Sequence, residues 1–468
     1  MLLTRSRGAS DERQNNAMTT KRTETKMTIR RLLCVLVAMF LSGCQVLSDG
    51  AGQGVPVAPS ADALGWNLSV DRRWSAVGDG LTPAHETLRV EVSGSGTGLS
   101  LLLWVDGEFS WQLPSSSGQQ IFELPLADLP AGEHELLLAE QGAAVALIAR
   151  DFITSQPLYI VTSIDWDSSD TADSELTWQE QLHADHPGLK LTHLVGPYTW
   201  TDPELTTQRQ DQLRDWLVMM EDSFDDEIGL HIHPWCHFVE TAGVTCRTEP
   251  SFVYDDGDES GYTVLSSAYT EAEYLALLER ADAIFLEQGL NKPLTFRAGG
   301  WIASSSVLSA LADDGFVADS SANNWQLMDE WQDNNTNGLL YQWNSEHWAN
   351  IGDRSQPYRP SAVDPTRPAQ SGESELSILE VPDNGILADY VSADEMIQIF
   401  EANWPGGALT VPTQVSIGFH NRTQGPLFSF RQRIEGALDH FDDFQFADDA
   451  GPVIYITLRD TANVNWSF

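Results

Sequence analysis

A chain of 468 residues has material for two domains or one large one, with ample apolar sequence for a core. Its 68 acidic against 26 basic residues leave a formal net charge of -42. That field excludes nucleic acid and other polyanions as partners, and its self-repulsion is tolerable where salt shortens the Debye length.

The chain begins with a targeting pattern. Arg30-Arg31, the apolar run Leu32 to Leu41 and the small-residue box Leu41-Ser-Gly-Cys44 make an export signal, too short to span a membrane. The box is similar to a bacterial lipoprotein signal. That likeness implies cleavage before Cys44, lipidation of its thiol, and an exported lipoprotein held to a membrane by its N-terminal lipid. Gln45 after the lipid cysteine points to the outer membrane. Residues 1–43 are therefore expected to be a signal peptide, and 44–63, rich in Gly, Ser, Pro and Ala, a flexible tether. No later apolar run is long enough to span a bilayer. Cys34 leaves with the signal and Cys44 carries the lipid. Cys236 and Cys246, ten residues apart in an exported chain, are then expected as a disulfide.

From Leu64 to Ser155 the pattern is all-β. Thr87-Leu-Arg-Val-Glu-Val92 alternates with period two, Leu101 to Val105 is an apolar run ended by Asp106-Gly107, and Gln119 to Leu126 is a further strand. Short strands with turn signals every eight to twelve residues predict a small immunoglobulin-like β-sandwich over 64–155. His134 has no clustered ligand neighbours and reads as an ordinary turn or surface residue.

Beyond residue 156 strands and helices alternate. Strands are predicted at Leu158–Ile164, Leu189–Val195, Glu227–His233, Leu294–Arg297, Phe316–Asp319, Gln414–His420 and Val453–Leu458. Helices are predicted from Thr206 to Met220, after the capping box Thr270/Glu273, over Val307 to Leu311, and after the capping box Ser392/Glu395. Such alternation implies an α/β fold with a parallel sheet, closed or nearly closed as a β/α barrel over 156–468. Residues 322–375 read as a long insertion over one face of it.

Within this pattern Glu227-Ile-Gly-Leu-His231-Ile-His233 stands out. A strand turns alternate side chains to one face, so His231 and His233 point into one site. Two imidazoles on a rigid strand make half of a metal site, and a carboxylate is the usual third ligand. Chemistry in a β/α barrel gathers at the C-terminal ends of strands. Four predicted strands end there in loaded residues: Asp165 and Asp167, His231 and His233, Arg297 before Ala-Gly299-Gly300-Trp301, and His420.

These motifs resemble the polysaccharide deacetylase family, which shares the NodB homology domain, over roughly Leu158 to Leu458. The resemblance rests on Ser-Ile-Asp165-Trp-Asp167, His231-Ile-His233, Phe-Arg297-Ala-Gly-Gly-Trp301 and Gly-Phe-His420. It implies a distorted β/α barrel of the deacetylase type and a metal-dependent hydrolase that removes acyl groups, acetyl above all, from an envelope or extracellular carbohydrate. Carried over, Asp165 would be the catalytic base, Arg297 its holder and His420 the acid. Asp167, His231 and His233 would bind a divalent metal, with Zn2+ the expected ion. Trp235 and Trp301 would bind substrate by stacking on sugar faces.

This chain departs from the family pattern at three points. Trp166 separates two acids that are usually adjacent, so base and ligand stay open between Asp165 and Asp167. Trp235 stands where the second histidine is usual; His233 or His237 must replace it, and strand alternation favours His233. Gly299-Gly300 replaces a proline. The alternative function is a carbohydrate-binding lipoprotein whose degenerate barrel is inactive. A third, an iron oxygenase using two histidines and a carboxylate, fits the β/α alternation poorly.

Overall fold

The computed structural model describes residues 54–94, 100–107, 109–113, 118–331, 338–425 and 428–466. The expected signal peptide and Cys44 lie outside them. The described residues fall into two units, one within residues 54–70, 90–122 and 134–151, the other within 71–89, 123–133 and 152–466.

The first unit is built from antiparallel strands. Trp66–Val70 pairs with the outer part of Thr87–Gly94, and Leu101–Val105 lies between Phe109–Gln112 and Gly132–Glu140. Leu68, Val90 and Val92 are buried at alternate positions of half-buried strands, whereas Leu101–Val105 and Gly132–Glu140 also bury the residues between, Leu102, Leu137 and Ala139. Two details differ from the sequence reading. His134 is buried in its strand, with Nδ1 2.7 Å from Asp106 Oδ2. The stretch 54–63, read as tether, is fastened to this unit: Val57 N–H donates to Ala144 O, and Ala63 N–H to Leu147 O.

Residues 71–89 and 123–133, placed with the first domain by their β pattern, cluster with the second unit. The Asp449 carboxylate accepts the N–H groups of Arg73 and Trp74 at 2.7–2.8 Å, and the Trp74 ring packs edge-on against Trp404 and Phe446. One aromatic anchor thus outweighs the local strand pattern.

Eight parallel strands form the second unit's sheet. Its order is Leu379–Glu380, Ala318–Asp319, Thr295–Ala298, Glu227–Ile232, Leu191–Val195, Leu158–Asp165, Thr413–His420, with Val453–Ile456 paired to the first half of Leu158–Asp165. All eight residues of that central strand are buried, apolar from Leu158 to Val161 and then carrying Thr162, Ser163 and Asp165 toward the site end. The far edge of Thr413–His420 is covered by the chain leaving Leu379–Glu380. Gly385 N–H donates to Ser416 O, Gly418 N–H to Ile386 O and Ala388 N–H to Gly418 O, which closes the ring into a distorted barrel.

Helices Asp173–Asp185, Thr207–Phe224, Glu271–Glu287, Ser305–Asp314, Ala393–Asn403 and Arg431–Asp442 accompany the strands. The capping boxes Thr270/Glu273 and Ser392/Glu395 are both formed. The insertion also carries a helix, Gly338–His347, which the sequence reading passed over. Among the described residues no helix is long and apolar enough to cross a membrane.

Strand register sets the site. His420 pairs with Asp165, Leu194 pairs with Asp165 from the other side, and His231 pairs with Arg297. The functional side chains therefore leave neighbouring strands at matching heights, at the C-terminal end of the barrel.

Candidate metal centre

Past Asp165 the backbone stays extended for one more ladder bond, Trp166 N–H to Leu194 O at 3.0 Å. Alternation then sends Trp166 into the core, against Trp216 and His193, and returns Asp167 to the side of Asp165. The intervening tryptophan keeps both acids in one site.

Oδ1 of Asp167 lies 3.2 Å from Nε2 of His231 and 3.3 Å from Nε2 of His233. The other nitrogen of each ring is committed. Nδ1 of His231 donates to the Arg297 carbonyl at 2.9 Å, and Nδ1 of His233 to the Tyr262 carbonyl at 2.9 Å. A carbonyl only accepts, so in the neutral ring each Nε2 presents a bare lone pair. Two lone pairs and a carboxylate oxygen thus face one another, an arrangement that calls for a cation between them. Bonds of about 2.1 Å to a tetrahedral ion put ligand atoms roughly 3.4 Å apart. The observed 3.2 and 3.3 Å match, and all three ligand atoms lie within 4.8 Å of one another, so the residues present fit a divalent metal.

His237 is not part of this cluster; its Nδ1 meets Thr201 Oγ1 at 2.9 Å. Gly299 explains a second departure in the sequence. A Cβ there would come within 2.6 Å of the His233 ring, so glycine is what lets that ring sit against the backbone.

Asp165 has a different partner. Arg297 Nη1 donates to its Oδ1 at 3.0 Å and to Ser163 Oγ at 2.8 Å. The same guanidinium reaches Ser320 and, at 3.2 Å, Asp383. Burial alone would lower Arg297, but Asp165 and Asp383 raise it above its ordinary value, so it stays charged.

His420 stands between carboxylates, Nδ1 2.9 Å from Asp389 Oδ2 and Nε2 3.4 Å from Asp167 Oδ2. Desolvation alone would lower this histidine, but Asp389 and Asp167 push it up to about 10, which favours its protonated form.

These groups open into a cavity of about 840 Å³, also lined by Trp235, Phe252, Tyr262, Leu340, Leu387 and Tyr390. Trp235 is half-buried and its ring stacks on Tyr262, centroids 4.8 Å apart. Trp301 edges the cavity but is 3% exposed, with Nε1 donating to Asp383 at 2.9 Å, so its polar handle is already taken. Cys236 and Cys246 are joined by a disulfide, Cα atoms 5.1 Å apart.

Sequence reasoning missed Tyr262, Asp383 and Asp389. Tyr262 follows the Asp- and Gly-rich stretch Asp255 to Gly261, which carries only loop signals. Asp389 stands just ahead of a capped helix and carries no signal of its own.

No family model matches the chain, and no curated protein matches it. Among solved structures, the chain is similar to polysaccharide deacetylases. A family 4 carbohydrate esterase from Streptomyces lividans, in complex with acetate, is 9% identical, with 66% of this chain and 95% of that one covered and a TM-score of 0.31. A polysaccharide deacetylase from Bacillus cereus is 10% identical over 56% of this chain and 89% of its own, TM-score 0.21. A 4-alpha-glucanotransferase from Thermococcus litoralis is also similar, 10% identical over 65% of this chain and 40% of its own, TM-score 0.36. The barrel itself rests on the strand order given above.

Proposed function

We propose that this chain is a metal-dependent hydrolase that removes acyl groups, acetyl first among them, from a carbohydrate, with Zn2+ as its ion. Its place would be outside the cytoplasm, held to the outer membrane by lipid on Cys44. The observation that carries the reading is the cluster of acceptors made by Asp167, His231 and His233, beside a second carboxylate, Asp165, and a histidine, His420, paired with Asp389.

A divalent ion held by these three residues would polarise an acyl carbonyl and make water a better nucleophile. The chain's own groups divide the proton work. Asp165, fixed by Arg297, would accept a proton from the attacking water. His420, whose protonated form Asp389 favours most, would give one to the departing amine or alcohol. The cavity is lined largely by apolar side chains, Phe252, Leu340 and Leu387 among them. Trp235 offers a half-buried ring for a sugar face.

The test is acetate release from acetylated chitooligosaccharides and from acetylated xylan, with metal-stripped and zinc-loaded protein. The proposal expects release that depends on the metal. Tight glycan binding without release by the loaded protein would replace hydrolysis with carbohydrate binding.

A further inference from the structure

Tyr262 touches two of the three candidate ligands with two different parts of itself. Its phenol O–H donates to Oδ2 of Asp167 at 2.6 Å. Its main-chain carbonyl accepts the Nδ1–H of His233 at 2.9 Å. Its ring lies over the His233 ring, centroids 4.3 Å apart, with Trp235 stacked against it.

The loop that carries it is tightly bound. Cys236 N–H donates to Ser260 O at 2.8 Å, which ties the loop to the segment just after His233. The two oxygens of Asp258 then fix the residues on either side of Tyr262: Oδ1 accepts from Ser260 and Oδ2 from Thr263. Ser251 Oγ meets Thr263 Oγ1 at 2.7 Å behind them.

We infer that Tyr262 is a positioning residue for the metal centre, holding Asp167 with one oxygen toward the imidazoles and fixing the tautomer and aim of His233. The inference rests on reading Asp167, His231 and His233 as ligands. A carboxylate turns readily about its Cβ–Cγ bond, and Oδ1 and Oδ2 are chemically alike. What distinguishes them here is the short O–H···O bond to Oδ2 at 2.6 Å, the shorter of that oxygen's two contacts, with the His420 Nε2 ion pair beside it at 3.4 Å. Removing an outer partner of this kind weakens metal binding by about 10- to 100-fold.

The experiment uses Tyr262→Phe, which deletes the O–H and keeps the ring and the carbonyl. The zinc dissociation constant of the metal-stripped, full-length protein is measured by competition with a chromophoric chelator, beside the melting temperature of the metal-free form. The expected result is zinc affinity about 10- to 100-fold weaker with the metal-free melting temperature unchanged. Affinity within about twofold of the wild type overturns the inference and leaves the metal centre standing. A loss of affinity matched by a fall in the metal-free melting temperature also overturns it, assigning Tyr262 to packing. A wild-type protein that binds no zinc overturns the metal centre, and this inference with it.

Discussion

Gly299→Ala adds one methyl group where the ring of His233 already stands. The new Cβ would lie 2.6 Å from Nδ1 and 2.7 Å from Cγ and Cε1 of that ring, against an ordinary contact of about 3.5 Å. The ring must therefore retreat by close to 1 Å, and retreat is opposed by its 2.9 Å bond to the Tyr262 carbonyl. Overpacking of this kind costs about 1–3 kcal/mol. A displacement near 1 Å in a catalytic constellation costs about a hundredfold in turnover. Gly299 does not have a positive φ, so alanine brings no backbone strain, and a roomy site would gain about 0.4–1 kcal/mol from the change. The two possibilities thus differ in sign. Thermal unfolding and zinc competition on the purified variant decide between them: lower stability and zinc affinity at least about tenfold weaker are expected. A variant as stable as the wild type, or more so, with full zinc affinity, would refute the argument that Gly299 exists to seat His233.

Three further outcomes are expected. Asp165→Asn and His420→Ala should each retain zinc while slowing acetate release by about 10²–10⁴-fold, measured by parallel metal analysis and kinetics. The buried carboxyls of Asp319 and Glu380 are register partners at the C-terminal end of the sheet, and burial pushes Asp319 up to about 6 and Glu380 well above its usual range. A raised carboxyl favours the folded state only while protonated, so this pair's contribution should fall as pH rises from about 4 through 6. Glu380→Gln should flatten that part of the melting-temperature profile, and an unchanged profile would remove the pair from the account. Cys44→Ser should move the protein from the membrane to the soluble fraction, and unchanged fractionation would dismiss the lipid anchor.

The site was legible wherever chemistry sat on a regular strand. Period-two alternation alone places His231 beside His233, and the same rule makes sense of Trp166 between two acids. Arg297 and His420 were legible because each ends a strand whose apolar run stops at a charged or polar residue. The rest was hidden for physical reasons. Ala318–Asp319 and Leu379–Glu380 are two-residue strands, too short to display a period, and the barrel closes through residues 385–388, which resemble a loop. Tyr262 and Asp389 reach the site through tertiary contacts that no local pattern encodes. Trp74 likewise draws 71–89 to the second unit by aromatic packing with residues more than three hundred positions away.

The central claim is that Asp167, His231 and His233 hold one ion. Metal content by mass spectrometry, measured on the wild type and on Asp167→Ala, His231→Ala and His233→Ala, tests it most directly. The account predicts about one zinc per wild-type chain and loss of the ion in all three variants, each remaining folded by circular dichroism. Full occupancy in both His231→Ala and His233→Ala would contradict it and place the metal elsewhere.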